Sequence, residues 1–201
     1  MTVVFLHALP LDERMWDGYE GVKPRLYGRG ASVEGWAEQI LGELEDERLV
    51  LVGASMGGYT ALAMAGREPE RVAGLALVGS RAGADSEERK RERDRTIRVL
   101  RERGTDAVWP GNEHDPGELA DAVAALRDRP DQTETLRSLE APVLVCVGTD
   151  DEINPLDEAR ALAAAAKHGR FEVFEGAGHI LSLDDPERFR RVLHEWLREL
   201  A

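Results

Sequence analysis

The 201-residue sequence has one cysteine, no cationic excess and no long apolar run, and each absence excludes a class of protein. Cys146 stands alone inside the apolar run 143–147, so an intrachain disulfide is impossible and a buried, inert thiol is expected. The 39 acidic residues outnumber the 26 basic ones and give a net charge of −13. Because such a surface repels polyanions, the composition argues against nucleic acid or an anionic membrane as a partner.

Targeting and membrane signals are also lacking. The sequence begins without a basic leader, and the apolar run before His7 is too short for a signal peptide or a spanning helix. The expectation is therefore a cytoplasmic protein that has no membrane partner, with its oligomeric state left open. No repeat or low-complexity linker is present, and the length suits one domain that buries roughly 70% of the surface of its unfolded chain.

The most informative stretch that is present is LVLVGASMGG at 49–58. Four apolar residues without alternation, a Gly-Ala-Ser-Met-Gly-Gly run and a helix-forming segment predict a buried strand, a sharp turn and a helix. In a Gly-x-Ser-x-Gly elbow the glycines let strand and helix pass closely, and the strained turn exposes the hydroxyl of Ser55. The same short pattern would also arise if the small residues only allowed strand and helix to pack tightly. Residues elsewhere in the chain that could assist a nucleophilic serine therefore have to distinguish the two interpretations.

Apolar runs alternate with helix-like segments along the chain, and this predicts a parallel sheet. Between the fourth and fifth apolar runs, residues 84–141 carry no strand signal. A capping box at 85–88 is predicted to open a charged helix, which we interpret as a solvated face rather than a basic binding arm. The predicted strands are 3–6, 21–26 (weak), 49–52, 72–78, 143–147 and 170–174.

Two later loops supply partners for a nucleophilic serine. Asp150 and Asp151 follow the strand 143–147, and His179 follows the last strand. Both loops lie at strand carboxyl ends, where open α/β sheets bind ligands. A serine hydroxyl is a weak nucleophile that needs a base, which in turn needs an orienting carboxylate. The order serine, aspartate, histidine is the one expected after a nucleophile elbow.

With these motifs in this order, the chain resembles the α/β-hydrolase superfamily, particularly small carboxylesterases and enol-lactonase-like members. The resemblance implies an α/β fold reduced to about six parallel strands in the order 2-1-3-4-5-6, with helices on both faces. It also implies a core domain of residues 1–83 and 142–201, into which a short helical cap, or lid, of residues 84–141 is inserted. The matching motifs are His7-Ala8-Leu9-Pro10, Gly28-x-Gly30-x-Ser32, GASMGG, Arg129-Pro130-Asp131, GTDDEINP and GAGH.

Carried over position by position, the resemblance makes Ser55 the nucleophile, His179 the general base and acid, and Asp151 its orienter. Asp151 is preferred to Asp150 because it is the third residue after a glycine and the fourth before a proline, as the family's acid is. The backbone N–H groups of Leu9 and Met56 are expected to form the oxyanion hole. No metal or cofactor is implied.

Two positions depart from the family pattern: Ala8 stands where glycine is usual, and Arg25 where many members have aspartate. Among the other histidines, His7 is expected to hold the oxyanion loop by hydrogen bonding. The remaining three, His114, His168 and His194, are expected in loops or at the surface. The run 113–115 is interpreted as a solvated loop rather than a cation site.

The implied activity is hydrolysis of small carboxylic esters through an acyl-enzyme, with a small-molecule ester or lactone as the partner. Two alternatives stay open: a lactonase or C–C bond hydrolase that uses the same triad, and a non-catalytic ligand-binding protein. Four side chains are candidate pocket walls, although Trp109 is equally compatible with the interior of the cap. These candidates are Leu9, Met56, Trp109 and Ile180.

Overall fold

The structure, a computed structural model, describes residues 1–200. Within this range five strands form one sheet in which every pair is parallel, in the order in which they occur in the chain. The α/β fold predicted from the sequence is thereby confirmed. The strands are β1 Thr2–Leu6, β2 Leu49–Ala54, β3 Val72–Val78, β4 Val143–Gly148 and β5 Gly169–Phe174.

Helices connect the strands, and the described residues contain eight α-helices. None of these helices is both long enough and apolar enough to cross a membrane. Three of them lie between β3 and β4, in the segment where the sequence shows no strand signal. The helices are α1 Val33–Glu43, α2 Met56–Arg67, α3 Glu87–Arg103, α4 Pro116–Asp128, α5 Thr133–Ser138, α6 Leu156–Ala165, α7 Leu181–Asp184 and α8 Pro186–Glu199.

Apolar side chains cover both faces of the sheet. All six residues of β2 are buried, which explains why its sequence shows no polar alternation. Leu49 and Leu51 join one apolar cluster, which includes Trp36 of α1, whereas Val50 and Val52 join a second cluster. The second cluster includes residues of α8, such as Trp196. Because successive strand residues point to opposite faces, the two clusters lie on opposite sides of the sheet, as the fold prediction requires.

The weak second strand predicted at 21–26 is reduced to a single bridge. Val22 pairs in parallel with Val4 at the free edge of β1, and its N–H donates to the carbonyl of Val3 at 2.9 Å. Pro24, two residues later, has no N–H to continue a ladder. The sheet therefore has five strands rather than about six, with the bridge at the edge where the predicted order put the extra strand.

The start of α3 also differs from its prediction. Ser86, rather than Asp85, is the N-cap, and its side chain accepts a hydrogen bond from the N–H of Arg89. The carboxylate of Asp85 is fully buried and forms ion pairs with Arg93 at 2.6 Å and Arg129 at 2.9 Å. A buried carboxylate requires such partners, and they come from residues that are distant along the chain. This cluster joins the two ends of the segment between β3 and β4.

Candidate active site

Ser55 lies at the turn between β2 and α2 in a strained backbone conformation. Its φ of 48° and ψ of −110° make it the single non-glycine residue with positive φ in the range 1–200. A Cβ atom on Gly57 would lie less than 3.0 Å from the carbonyl oxygen of Leu6, and one on Gly53 would lie equally close to the backbone of Gly57. The glycines are therefore required because the strand and helix backbones cross here. Such strain persists at sites where the surroundings enforce it, often for function.

Hydrogen bonds to β3 hold this turn in place. The N–H of Ser55 donates to the carbonyl of Val78 at 2.8 Å, and the hydroxyl of Ser80 donates to the carbonyl of Ser55 at 3.0 Å. The Ser55 residue itself is half-buried. The serine is thus attached to the carboxyl end of the central strand.

The structure brings together Asp151, which follows β4, and His179, which follows β5. The Nδ1 atom of His179 lies 2.9 Å from Oδ2 of Asp151. The other oxygen, Oδ1, accepts hydrogen bonds from the N–H groups of Ile153 and Asn154, both at 2.9 Å. Burial alone would raise the pKa of Asp151, but the hydrogen bonds from His179 and these N–H groups outweigh it and hold the pKa below its usual value. The carboxylate therefore stays ionised beside the imidazole.

Asp150, the alternative acid, points elsewhere: its Oδ1 accepts a hydrogen bond from the hydroxyl of Thr149 at the surface. Asn154 is a buried residue of this loop whose importance the sequence did not indicate. Its side-chain Nδ2 donates to the carbonyl of Gly79 and so connects the acid loop to the end of β3. This side-chain hydrogen bond arises only when the two strands are side by side, so no local pattern predicts it.

The imidazole of His179 packs against the same strand end that holds Ser55. A Cβ on Gly79 would lie 3.1 Å from Nδ1 and 3.2 Å from Cε1 of the ring. Within residues 1–200, no hydrogen bond joins the Ser55 hydroxyl to this ring, and Nε2 has no hydrogen-bond partner. Catalytic hydrogen bonds are often long without substrate and tighten in the complex. The ring is thus fixed through Nδ1, which leaves Nε2 available for proton transfer.

The two amides proposed for an oxyanion hole lie where β1 meets the start of α2. The close approach of Gly57 to the carbonyl of Leu6 puts the end of β1 beside the first turn of α2. Met56 is the first residue of α2, a position where the N–H has no intrahelical acceptor. Neither this N–H nor that of Leu9 donates to a backbone acceptor in the described part of the chain. The side chain of Met56 is fully buried in the core, so its predicted role as a pocket wall is wrong.

His7 holds the loop after β1. Its Nδ1 lies 3.1 Å from the carbonyl oxygen of Ala8, and its Nε2 accepts a hydrogen bond from the N–H of Leu26 at 2.9 Å. Since a carbonyl only accepts and an amide only donates, the ring is neutral with its proton on Nδ1. Burial lowers the pKa of His7 to about 4, which agrees with this assignment. A second proton, on Nε2, would point at the N–H of Leu26, which is also a donor, so the folded structure disfavours it.

Because the imidazole of His7 is buried, we expect the protein to lose stability in mild acid. The unfolded chain takes up a proton on His7 near pH 6.5, whereas the folded chain does so near pH 4. The free energy of unfolding is therefore expected to fall by about 3 kcal/mol from this residue as the pH drops from 6.5 to 4. Urea denaturation across this range should show the fall in wild type and in His194→Gln, an exposed control.

The His7→Gln variant should lose most of that pH dependence. An NMR titration of the His7 ring in the wild-type protein gives an independent measure that needs no variant. A ring that becomes protonated close to pH 6.5 in the folded protein would contradict the assignment.

The remaining histidines differ from one another. His168 and His194 are exposed, as predicted. His114 lies in the loop before α4, also as predicted, and is largely buried there, with Nε2 lying 3.3 Å from Oδ2 of Asp12. Next to it, the side chain of Asn112 donates to the carbonyl of Pro10 at 2.9 Å, so the loop before α4 is attached to the loop after β1.

A cavity of about 310 Å³ opens beside the loop after β1. Leu9 and Trp109, two of the four predicted pocket walls, line it, and Ile180 does not. Ile153 of the acid loop lines it too, as do polar residues of α3. These α3 residues were overlooked because they are polar like the exposed positions around them. The signal that could have indicated them is the pair of buried residues Ile97 and Leu100, which lie one turn from Arg93 and Thr96 on the same face of the helix. Within residues 1–200 there is no group of three or more histidine, cysteine or acidic side chains placed to hold a metal ion.

Comparisons with known proteins identify relatives that share this fold. A thermophilic esterase from Thermogutta terrifontis is 31% identical, with a TM-score of 0.87 over 98% of this chain and 89% of that one. The enol-lactonase from Burkholderia xenovorans LB400 is 23% identical, with a TM-score of 0.83 over 98% and 90% of the two chains, and it shares the fold.

Among curated proteins, a 2-hydroxy-6-oxononadienedioate/2-hydroxy-6-oxononatrienedioate hydrolase from Paraburkholderia phymatum is 29% identical, in an alignment that covers 79% of this chain. The chain spans about 65% of the length of that relative. The family model described as "Alpha/beta hydrolase family" matches residues 3–192. This match covers nearly the whole sequence, and the chain therefore belongs to the alpha/beta hydrolase family.

Proposed function

We propose that this protein is a serine hydrolase that cleaves small carboxylic esters through an acyl-enzyme intermediate. The observation that carries the proposal is the 2.9 Å contact between Asp151 and His179, formed beside a strained Ser55. In this proposal Ser55 is the nucleophile, His179 the general base and acid, and Asp151 the residue that orients the ring. The similarity to the Thermogutta terrifontis esterase supports an ester as the substrate.

The proposed reaction uses the free Nε2 of His179 twice. As the Ser55 hydroxyl attacks the ester carbonyl, Nε2 takes its proton, and the N–H groups of Leu9 and Met56 stabilise the oxyanion. Collapse of the tetrahedral intermediate breaks the ester bond, and the leaving alcohol receives the proton from Nε2. Water then gives a proton to Nε2 and attacks the acyl-enzyme, and a second collapse releases the acid and restores Ser55. Asp151 stabilises the imidazolium in both halves.

The segment 84–141 is assigned in this proposal to a helical cap over a core of residues 1–83 and 142–201. It contributes Trp109 and the polar face of α3 to the cavity beside Leu9. The contact of Asn112 with the carbonyl of Pro10 supports this role, because it attaches the cap to the loop that carries Leu9. The substrate is a small molecule, and the reaction needs no cofactor.

A lactonase or a C–C bond hydrolase is the second candidate. The Paraburkholderia phymatum relative supports it, since its name describes hydrolysis of a nonadienedioate. The same three side chains would perform either reaction, so a panel of esters, lactones and diketones decides between them.

Covalent labelling tests the proposal directly. An activated serine should react with a fluorophosphonate probe, and peptide mass spectrometry should place the label on Ser55 and not on the neighbouring Ser80. Esters of graded acyl length should then be hydrolysed by the unlabelled protein and not by the labelled one. A protein that leaves Ser55 unlabelled would instead support the non-catalytic, ligand-binding alternative.

A further inference from the structure

One face of the charged helix α3 is turned towards the cavity beside Leu9. Four of its polar residues line the cavity at spacings of three, one and three, which places them on the same side of the helix. They are Arg89, Glu92, Arg93 and Thr96. The facing walls are apolar and consist of Leu9, Val108, Trp109, Val123 and Ile153. The cavity therefore combines an apolar wall with a polar wall that carries two arginines.

The two arginines are in different electrostatic situations. Arg93 is paired at 2.6 Å with the buried carboxylate of Asp85, which it shares with Arg129. The side chain of Arg89 is half-buried, yet it forms no ion pair and no hydrogen bond with any other residue in the range 1–200. The one carboxylate in the cavity lining, that of Glu92, belongs to an exposed residue and makes no salt bridge to it. Arg89 is thus a cation without a partner on the polar side of a cavity whose opposite side is apolar.

A partly desolvated guanidinium without a partner favours an anion, and its planar donors match a carboxylate in two parallel hydrogen bonds. Neither Ser55 nor His179 lines this cavity, which adjoins the proposed site through Leu9 and through Ile153 of the acid loop. The apolar wall suits a hydrocarbon chain that runs from that carboxylate towards the reacting group. The volume of about 310 Å³ is sufficient for a chain of this kind.

We propose that the substrate carries a carboxylate at the end remote from the scissile bond and that Arg89 binds it. This inference rests on the proposed function, because Ser55 has to attack the other end of the same molecule. It narrows the substrate class from small esters in general to monoesters of dicarboxylic acids and related carboxylate-bearing esters. Trp109 and Ile153 then contact the linking chain.

Matched pairs of anionic and neutral esters test this inference. The first pair is mono-p-nitrophenyl adipate, which carries the carboxylate on its acyl side, and the neutral p-nitrophenyl hexanoate. The second pair is 4-acetoxybenzoate, which carries the carboxylate on its alcohol side, and its neutral methyl ester. In wild type, the ratio of kcat/KM for the anionic over the neutral ester should exceed one in at least one pair. In Arg89→Gln that ratio should fall by about 10-fold to 100-fold, mainly through KM, because the charge-assisted hydrogen bonds are lost.

Further variants separate the charge of Arg89 from the general charge of the helix. Arg91→Gln removes an exposed arginine of the same helix that does not line the cavity, and it should leave the ratio unchanged. Arg89→Lys should keep part of the preference, and Arg89→Glu should reverse it. Free adipate should also slow fluorophosphonate labelling of Ser55 in wild type more than in Arg89→Gln.

The possible failures are distinguishable. If the protein hydrolyses the neutral esters but shows no Arg89-dependent preference in either pair, this inference is wrong and the proposed function stands. If Arg91→Gln lowers the ratio as much as Arg89→Gln, the effect is a general one of surface charge and the inference is wrong as well. If Ser55 is not labelled and no ester is hydrolysed, the proposed function fails and this inference fails with it.

Discussion

Replacement of Ser55 by alanine is expected to lower kcat for ester hydrolysis by at least about a thousandfold, because no other group in the proposed site can form the acyl-enzyme. The folded structure should be retained. The Ser55 hydroxyl makes no hydrogen bond with another described residue, and the backbone bond from its N–H to Val78 does not involve the side chain. Steady-state kinetics with p-nitrophenyl acetate and a thermal unfolding curve measure the two effects separately.

The matched control is Ser138→Ala, which removes the same hydroxyl from an exposed position at the end of α5. It should leave kcat within about twofold of wild type, since surface substitutions of this kind have small effects. If Ser55→Ala retained wild-type hydrolysis, the acyl-enzyme mechanism would be wrong. The labelling experiment would then also be expected to mark a different residue.

Replacement of Gly57 by alanine is expected to destabilise the protein by about 3 kcal/mol or more, because the added methyl group has no space and backbone atoms must move. Its Cβ would lie less than 3.0 Å from the carbonyl oxygen and carbon of Leu6, which belong to β1. Because rigid strand backbone rather than a flexible side chain stands in the way, relaxation is costly. Denaturant unfolding of the purified variant measures the decrease in the free energy of unfolding. If the decrease is large enough, little folded protein will be recovered.

Gly42→Ala is the control for this change. Gly42 is an exposed residue of α1, and a Cβ there would have no heavy atom within 4 Å. Because alanine is the better helix former, this variant is expected to gain up to about 1 kcal/mol. Equal effects of the two substitutions would show that the close crossing of β1 and α2 does not constrain the elbow.

The elbow glycines show how much of the site could be predicted from the sequence. The short motif GASMGG predicts a turn that only small residues allow. The structure confirms this, since Ser55 has a strained backbone and a Cβ on Gly53 or Gly57 would collide with neighbouring backbone atoms. The placement of the aspartate and histidine loops could be predicted as well, since parallel strands end at one edge of the sheet. The roles of these residues in catalysis remain predictions that the experiments above test.

Other features could not be predicted because their partners are distant in the sequence. Asp85 resembles a helix-capping residue by its local pattern, and it is buried because Arg129, at the other end of the segment, pairs with it. The inward face of α3 was missed for a different reason. Its arginines, including Arg89, have the same composition as the solvated positions around them, and only packing against the core turns this face towards the cavity.

The sequence by itself determined the order of strands and helices, the position of the elbow and the identity of the polar residues at the strand ends. These depend on short-range backbone chemistry and on periodic burial, both of which a local pattern records. Only the tertiary structure decided which aspartate meets His179, which carboxylate is buried in the segment between β3 and β4, and which face of α3 lines the cavity. Each of these depends on side chains from distant segments that compete for the same partners or the same space, and folding alone brings those segments together.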